Sequence, residues 1–406
     1  MPSSSSRRFR LPRTVWVFGF TAMFMDAGSE IAHAVLPLFL VGSLGASTAM
    51  VGLIDGLAEA TASITKIFSG ALSDFLGRRK WLAACGYGLS ALAKVIFPLA
   101  STPWMVFAGR MIDRFGKGMR GAPRDALLAD WVEAAHRGYA YGLRQALDNT
   151  GNIAGPLLAL LLLKLYDNDF PAVLWWALLP SFLAFAIMTI GVQEVVLAPT
   201  VPEIRRFPLH VHALRSLGHR YWVAMLLLFL LLLPRCSEAF LILRVHGMGF
   251  PLALSPLALV VMNAVSIPVT FYAGIVSDRF GRAPIIALGF ACLVMAELVL
   301  GLADEPWGVW LGAGLWGLHV GLTDGVFAAL VADLAPAHLR GTAFGVFNLM
   351  AGVAVFLASF LMGLAWDYWG ADTAFHLAAA VGAVALVPFL YLIRRHHPAL
   401  IPPRAI

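Results

Sequence analysis

Three ionisable residues stand in an otherwise apolar run near the start of the chain. Asp26, Glu30 and His33 occupy positions i, i+4 and i+7 of residues 14–42, a spacing that puts them on one face of a helix. Residues 104–129 supply the opposite sign, with Arg110, Arg114 and Lys117 at the same spacing and Asp113 at the edge of their face. Charge at membrane depth costs several kcal/mol unless it meets water or a partner, so both faces need a reason. In one reading, Asp26 or Glu30 pairs with Arg110 or Arg114 and helps two helices pack. In the other, desolvation and the arginines pull the proton affinity of a carboxylate in opposite directions, so that it can bind and release a proton as its surroundings change. The same arginines could receive an anionic group of a substrate. Asp26, Glu30 and His33 also offer oxygen and nitrogen ligands to a divalent transition metal, although the neighbouring cations would repel it.

Weaker candidates follow the same logic. Arg235 and Glu238, three residues apart, form a second candidate site; Arg144 and Asp148, four apart, are expected to pair with each other. Lys94, Glu297 and His319 read as structural. Cys85, Cys236 and Cys292 have neither the number nor the spacing of a disulfide framework or zinc site. No phosphate-cradling GxxxxGK[ST] loop and no GxSxG elbow is present, so neither a cofactor nor an enzymatic activity is expected.

The elements that must position these groups are membrane helices. Of the 406 residues 60% are hydrophobic and 13% charged, with a mean hydropathy of +0.80; soluble domains carry about 25% charge. Apolar runs occur at 14–42, 47–73, 80–101, 104–129, 140–165 and 171–193, and again at 221–245, 251–276, 283–303, 307–334, 342–366 and 373–394. The reading is an all-α membrane protein with twelve transmembrane helices in two six-helix halves. Residues 1–13 form an N-terminal tail, 14–193 the first half, 194–220 a linker, 221–395 the second half and 396–406 a C-terminal tail. Basic residues fall in alternate loops, among them Arg78, Arg79, Lys80, Arg137, Arg205, Arg206, Arg282 and Arg340, whereas Asp167, Asp169, Asp304, Glu305 and Asp372 mark the opposite side. That asymmetry predicts cytoplasmic termini and a cytoplasmic linker. It also accounts for the net charge of +6 without nucleic acid. The Ser- and Arg-rich N-terminus runs directly into a long span, so no removable signal peptide is expected.

Two loops repeat. Gly70, Asp74, Gly77, Arg78 and Arg79 lie between the second and third runs, and Gly274, Asp278, Gly281 and Arg282 lie between the eighth and ninth. Arg137-Gly138 answers to Arg340-Gly341, Ala129-Asp130 to Ala332-Asp333, and Ser29-Glu30 to Ser237-Glu238. This spacing resembles the loop signature of the major facilitator superfamily of secondary transporters, although the second copy lacks the final basic residue. The fifth run contains Gly151, Gly155 and Pro156, which resembles the antiporter motif of the drug/proton branch without its last glycine. The same residues also make a small-residue packing face.

The resemblance implies a parallel six-plus-six architecture in which spans 1, 4, 7 and 10 line a central cavity, so Asp26, Glu30, His33, Arg110, Arg114, Arg235 and Glu238 would face the substrate path. It implies a monomer in the cytoplasmic (inner) membrane, with both termini cytoplasmic and the two motif loops gating conformational change. The expected partners are a small-molecule substrate, protons and the lipid bilayer. The expected function is secondary active transport by alternating access, with proton-coupled export (antiport) of an organic compound, the arginines suiting an organic anion better than a cationic drug. The alternatives are divalent-metal efflux and a non-transporting membrane sensor on the same scaffold.

Overall fold

The computed structural model describes residues 13–76, 78–133, 136–194, 211–336 and 339–395. Helix covers every one of the twelve apolar runs, and the described residues contain no strand. The first half comprises α1 (Arg13–Gly42), α2 (Thr48–Leu76), α3 (Arg79–Ile96), α4 (Pro103–Trp131), α5 (Arg137–Leu165), α6 (Phe170–Trp176) and α7 (Leu178–Gly191). The second comprises α8 (Val211–Ser216), α9 (Gly218–Leu232), α10 (Ala239–Gly247), α11 (Leu257–Phe280), α12 (Arg282–Leu302), α13 (Pro306–Leu334) and α14 (Arg340–Arg394).

Among the described residues, seven helical stretches are long and apolar enough to cross a bilayer. α2, α3 and α4 carry more charge and pack side by side with them, α2 against α4 and α14, α3 against α4 and α7. The chain is a multi-pass helical membrane protein.

Local chemistry explains where the helices begin and break. α4 and α13 each start on a proline preceded by an extended residue, Thr102 and Glu305, because proline loses nothing at a first turn whose N–H is free anyway. α6 is capped by Asp169, whose carboxylate accepts from the Ala172 N–H at 3.2 Å. The expected run 221–245 is broken between α9 and α10, over residues 233–238 that include Pro234, and 171–193 is divided at Ala177. Helix continues from Arg340 to Arg394 except at Gly370, whose φ of 84° and ψ of 167° turn the chain back; only glycine adopts that conformation freely. The third run stops at Ile96, short of the expected residue 101. Part of the expected linker is the helix α8, and residues 195–210 of it, like most of both tails, lie outside the described set.

The repeat is visible in the ion pairs. Arg79 pairs with Asp130, and Arg282 reaches Asp333 at 3.2 Å; 203 residues separate the two arginines and the two aspartates alike. Ser73 and Ser277 make the same bond at 2.9 Å to the carbonyls of Gly70 and Gly274. Each half therefore clamps its own basic end. The Gly281 turn, at φ 92°, needs glycine; Gly77 and the Asp74 side chain lie outside the described residues.

The halves meet at the end carrying the acidic loops. There the Thr48 hydroxyl donates to the Gly363 carbonyl at 3.0 Å, and the backbone N–H groups of Thr48 and Ala49 donate to the Asp367 carboxylate at 2.9 Å. A Cβ at Gly52 would strike the Ser359 carbonyl, and one at Gly363 the Thr48 backbone, so glycine lets α2 and α14 touch backbone to backbone. α10 packs on α1 and α2, while α9, its continuation toward the basic end, packs on α14 and α13. Toward the basic end the halves part around a cavity.

Asp367 acts as an anionic cap for a helix of the other half. Burial pushes its carboxyl up, but the hydrogen bonds from Thr48 and Ala49 outweigh this and hold it below the ordinary 3.8. A lowered folded-state pKa stabilises above the unfolded value and is lost as pH falls through the folded one. Asp367→Asn should therefore lower the thermal unfolding temperature of the detergent-purified protein at pH 7, with the difference from wild type closing only below about pH 3.8. A gap that stays unchanged well below that pH would show that the charge contributes nothing.

Candidate functional site

The cavity encloses about 1010 Å³ between α1, α2, α4 and α5 of one half and α11, α13 and α14 of the other. Its floor near the joined end includes His33, Asp55 and Cys236, and its walls toward the basic end carry the exposed Lys66 and Lys117. Asp26, Glu30, His33, Arg110, Arg114, Arg235 and Glu238 all line it, so one chamber gathers the candidates that lie far apart in sequence.

Their pairing differs from expectation. Neither Asp26 nor Glu30 is the ion-pair partner of Arg110 or Arg114. Arg110 binds Asp55, with Nε 3.1 Å from Oδ1, and Arg114 Nη1 lies 3.0 Å from Glu59 Oε1. The cause is helix placement: α2 packs along α4, and Asp55 and Glu59, four residues apart on α2, meet Arg110 and Arg114, four apart on α4, as two successive rungs. Arg110 and Arg114 are 2% and 3% exposed, so both guanidinium groups are buried; Asp55 is buried with Arg110, whereas the Glu59 side chain stays 42% exposed.

α1 meets this ladder through histidine. His33 Nδ1 lies 3.5 Å from Glu30 Oε2, and its Nε2 is 3.9 Å from Asp55 Oδ2. Asp55 also accepts from the Ser237 hydroxyl at 3.0 Å, and the Ser237 N–H donates to Ser359 Oγ at 2.9 Å. Ser237 lies in the break between α9 and α10, where Pro234 interrupts the helix and the freed backbone can face the cavity. A continuous line therefore runs from Glu30 through His33 and Asp55 into the opposite half.

Asp26 has no cation within ion-pair distance among the described residues. Gly151 and Gly155 set the position of this acidic face: a Cβ on Gly151 would press on the Met23 carbonyl and Asp26 Cβ, and one on Gly155 on Glu30 Cβ and the Ala27 carbonyl. The glycine motif thus seats α5 directly behind the two carboxylates.

In the second half, Arg235 pairs with Asp324 of α13 at 2.9 Å, not with Glu238; the break in the helix removes the i, i+3 relation that would have joined them. Glu238 faces the cavity without an ion-pair partner among the described residues. Trp316 lines the same wall.

Charges outside the cavity are mostly structural. Lys94, fully buried, holds Asp113 Oδ1 at 3.1 Å, while Asp113 Oδ2 lies 3.8 Å from Arg114 Nε. Arg144 pairs with Asp148 as its spacing suggests. Arg124 binds Asp125 at 3.0 Å within the first half. His319 contacts the Gly289 carbonyl at 3.0 Å and the ring of Phe290. Glu297 is fully buried, and among the described residues neither of its oxygens has a hydrogen-bond partner.

Sequence reasoning missed Asp55, Glu59, Lys66 and Ser237. The first three share a helical face in the apolar run 47–73 and meet the same criterion that singled out Asp26 and Glu30, so their spacing was a sufficient signal. Ser237 becomes functional only through the helix break.

A family model described as Major Facilitator Superfamily matches residues 18–359 and 249–405. An uncharacterised MFS-type transporter from Methanocaldococcus jannaschii is 28% identical over 369 residues, covering 88% of this chain and 89% of that one. The multidrug resistance protein MdtH of Yersinia enterocolitica is 29% identical over 177 residues, 43% of this chain and 42% of its own. Among solved structures, a POT family transporter in complex with 5-aminolevulinic acid superposes with a TM-score of 0.79 at 12% identity over 96% of this chain and 98% of its own, a likeness of fold.

Proposed function

The chain belongs to the major facilitator superfamily of transporters, and on that premise we propose that it exports a small organic solute across the cytoplasmic (inner) membrane in exchange for protons. With the basic loops cytoplasmic, the cavity opens inward and the α2–α14 seam closes the outer face. Similarity of part of the chain to a multidrug resistance protein favours export. The observation that carries proton coupling is the line Glu30–His33–Asp55–Ser237, because it joins a titratable side chain in the cavity to a contact between the halves. A proton taken by Glu30 cancels the charge facing His33. His33, freed or protonated, alters the charge beside Asp55 and with it the bond that Asp55 accepts from Ser237. Loading a proton and releasing the halves then become one event, which is what an exchanger requires. Asp26, lacking a counter-ion, is a second acceptor on the same face.

Divalent-metal efflux has less support. The Glu30 carboxylate is engaged by His33, and Asp55 lies within the field of Arg110; among the described residues no three His, Cys, Asp or Glu side chains are grouped to hold a metal ion.

The test is proton movement in sealed proteoliposomes containing a pH-sensitive dye, with organic anions, cationic drugs and divalent metals added in turn. Wild type should give a substrate-triggered pH change, and Glu30→Gln should reduce it at least tenfold, as about 1.4 kcal/mol or more of lost coupling would; Asp26→Asn reports whether the second acid shares the load. Solute flux without proton movement, equal in wild type and both variants, would leave the transporter standing and remove the coupling.

A further inference from the structure

Beside the main cavity, and continuous with it, lies a side chamber of about 270 Å³ between α2 and α4, roofed by Asn348 of α14. Its wall carries Lys66, Lys117 and Arg120. The acids around it are already engaged: Glu59 by Arg114 at 3.0 Å, Asp125 by Arg124 at 3.0 Å, and Asp148 by Arg144. Lys66 and Lys117 have no carboxylate within 4 Å among the described residues. Arg120 donates to Ser90 Oγ at 2.6 Å and lies over the Tyr87 ring, 5.1 Å from its centroid, and makes no ion pair among the described residues. Among the described residues Asp26 is the one acid on this wall without a cation.

We propose that this chamber is an anion subsite, in which Lys66 and Lys117, backed by Arg120, receive a carboxylate, sulfonate or phosphate group of the transported solute. In the inward-open state water solvates these cations. When the halves close, that water must leave, and three cations facing the single free carboxylate of Asp26 are then tolerated inside the membrane only with a further anion present. An anionic group on the solute would supply it, so the chamber makes closure depend on cargo. Arg110 and Arg114 cannot take this role, since Asp55 and Glu59 hold them. The site is also built for close approach: α4 lies against α2 at Gly118, whose carbonyl accepts from Ser69 Oγ at 2.9 Å, and Gly121 leaves open the space beside Lys66, where an added Cβ would come 3.9 Å from its Cε. The neutral end of the solute would reach the main cavity and Trp316.

The proposal rests on the transporter reading but is tested apart from it. Equilibrium dialysis of the full chain in uncharged detergent would compare 2-naphthoate with 2-naphthamide and naphthylmethylamine. The naphthoate should bind at least tenfold more tightly than either analogue. Lys66→Gln and Lys117→Gln should each weaken naphthoate about tenfold and leave naphthamide unchanged, with Lys117→Arg close to wild type. Equal binding of acid and amide, or wild-type naphthoate affinity in the Lys66→Gln/Lys117→Gln double variant, overturns the subsite. So does displacement of naphthoate by short-chain phosphatidylglycerol but not by glycerol phosphate, which would assign the chamber to a lipid headgroup. Selective naphthoate binding together with no flux in proteoliposomes would instead leave the subsite intact and remove the transport reading.

Discussion

Arg110→Ala should abolish transport and lower the stability of the purified protein by about 3–5 kcal/mol, the usual cost of leaving one member of a buried ion pair uncompensated. Arg110 is 2% exposed, and its partner Asp55 also faces His33 and Ser237. Losing the arginine therefore leaves an unneutralised carboxylate where the two halves meet. Thermal unfolding in detergent reads the stability, and the double variant Asp55→Asn/Arg110→Gln should recover most of it without recovering proton coupling. The cycle separates the two roles of the pair. An Arg110→Ala protein that unfolds at the wild-type temperature would show that the pair contributes little.

Gly155→Leu should cost at least tenfold in transport while the protein still inserts into the membrane. A Cβ at Gly155 already meets Glu30 Cβ and the Ala27 carbonyl, and one of these obstacles is backbone, which cannot swing aside. Overpacking of this kind costs roughly 1–3 kcal/mol. Here it pushes on the helix that carries Glu30 and His33, so the 3.9 Å approach of His33 to Asp55 on α2 should be lost. Gly155→Ala should be milder in both respects. Transport rate and the pH signal in proteoliposomes measure the effect; a Leu variant with wild-type coupling would make the glycine motif a packing face and nothing more.

The scaffold was legible because its signals are local. Lengths of apolar sequence and the two glycine-arginine loops can be read without knowing which helix touches which. The equivalence of Arg79–Asp130 with Arg282–Asp333 is the physical form of the repeat. Partners were harder. Periodicity states which residues share a face, and Asp26, Glu30, Arg110 and Arg114 do line one cavity, but it does not state which neighbour that face meets. The choice of Asp55 and Glu59 over the α1 carboxylates depends on α2 lying along α4. Arg235 illustrates a second limit, since its sequence neighbour Glu238 is separated from it by a break in the helix and its partner, Asp324, lies 89 residues away. The lysines of the side chamber owe their significance to which other charges are already paired, and a single chain of letters does not show that.

The seam between α2 and α14 has a consequence for the mechanical work of the cycle. It is formed by glycines in backbone contact and by hydroxyl, amide and carboxylate groups at Thr48, Ala49 and Asp367. Beside these groups Val51 and Ile54 of α2 and Ala358 and Met362 of α14 are buried, but each polar bond broken in parting the helices can be remade to water. The inward and outward shapes can then lie within thermal reach of one another, close enough in energy for the entry of a proton or a solute to decide which prevails. A seam of interlocking leucines would hold more firmly and would turn the same architecture into a closed vessel.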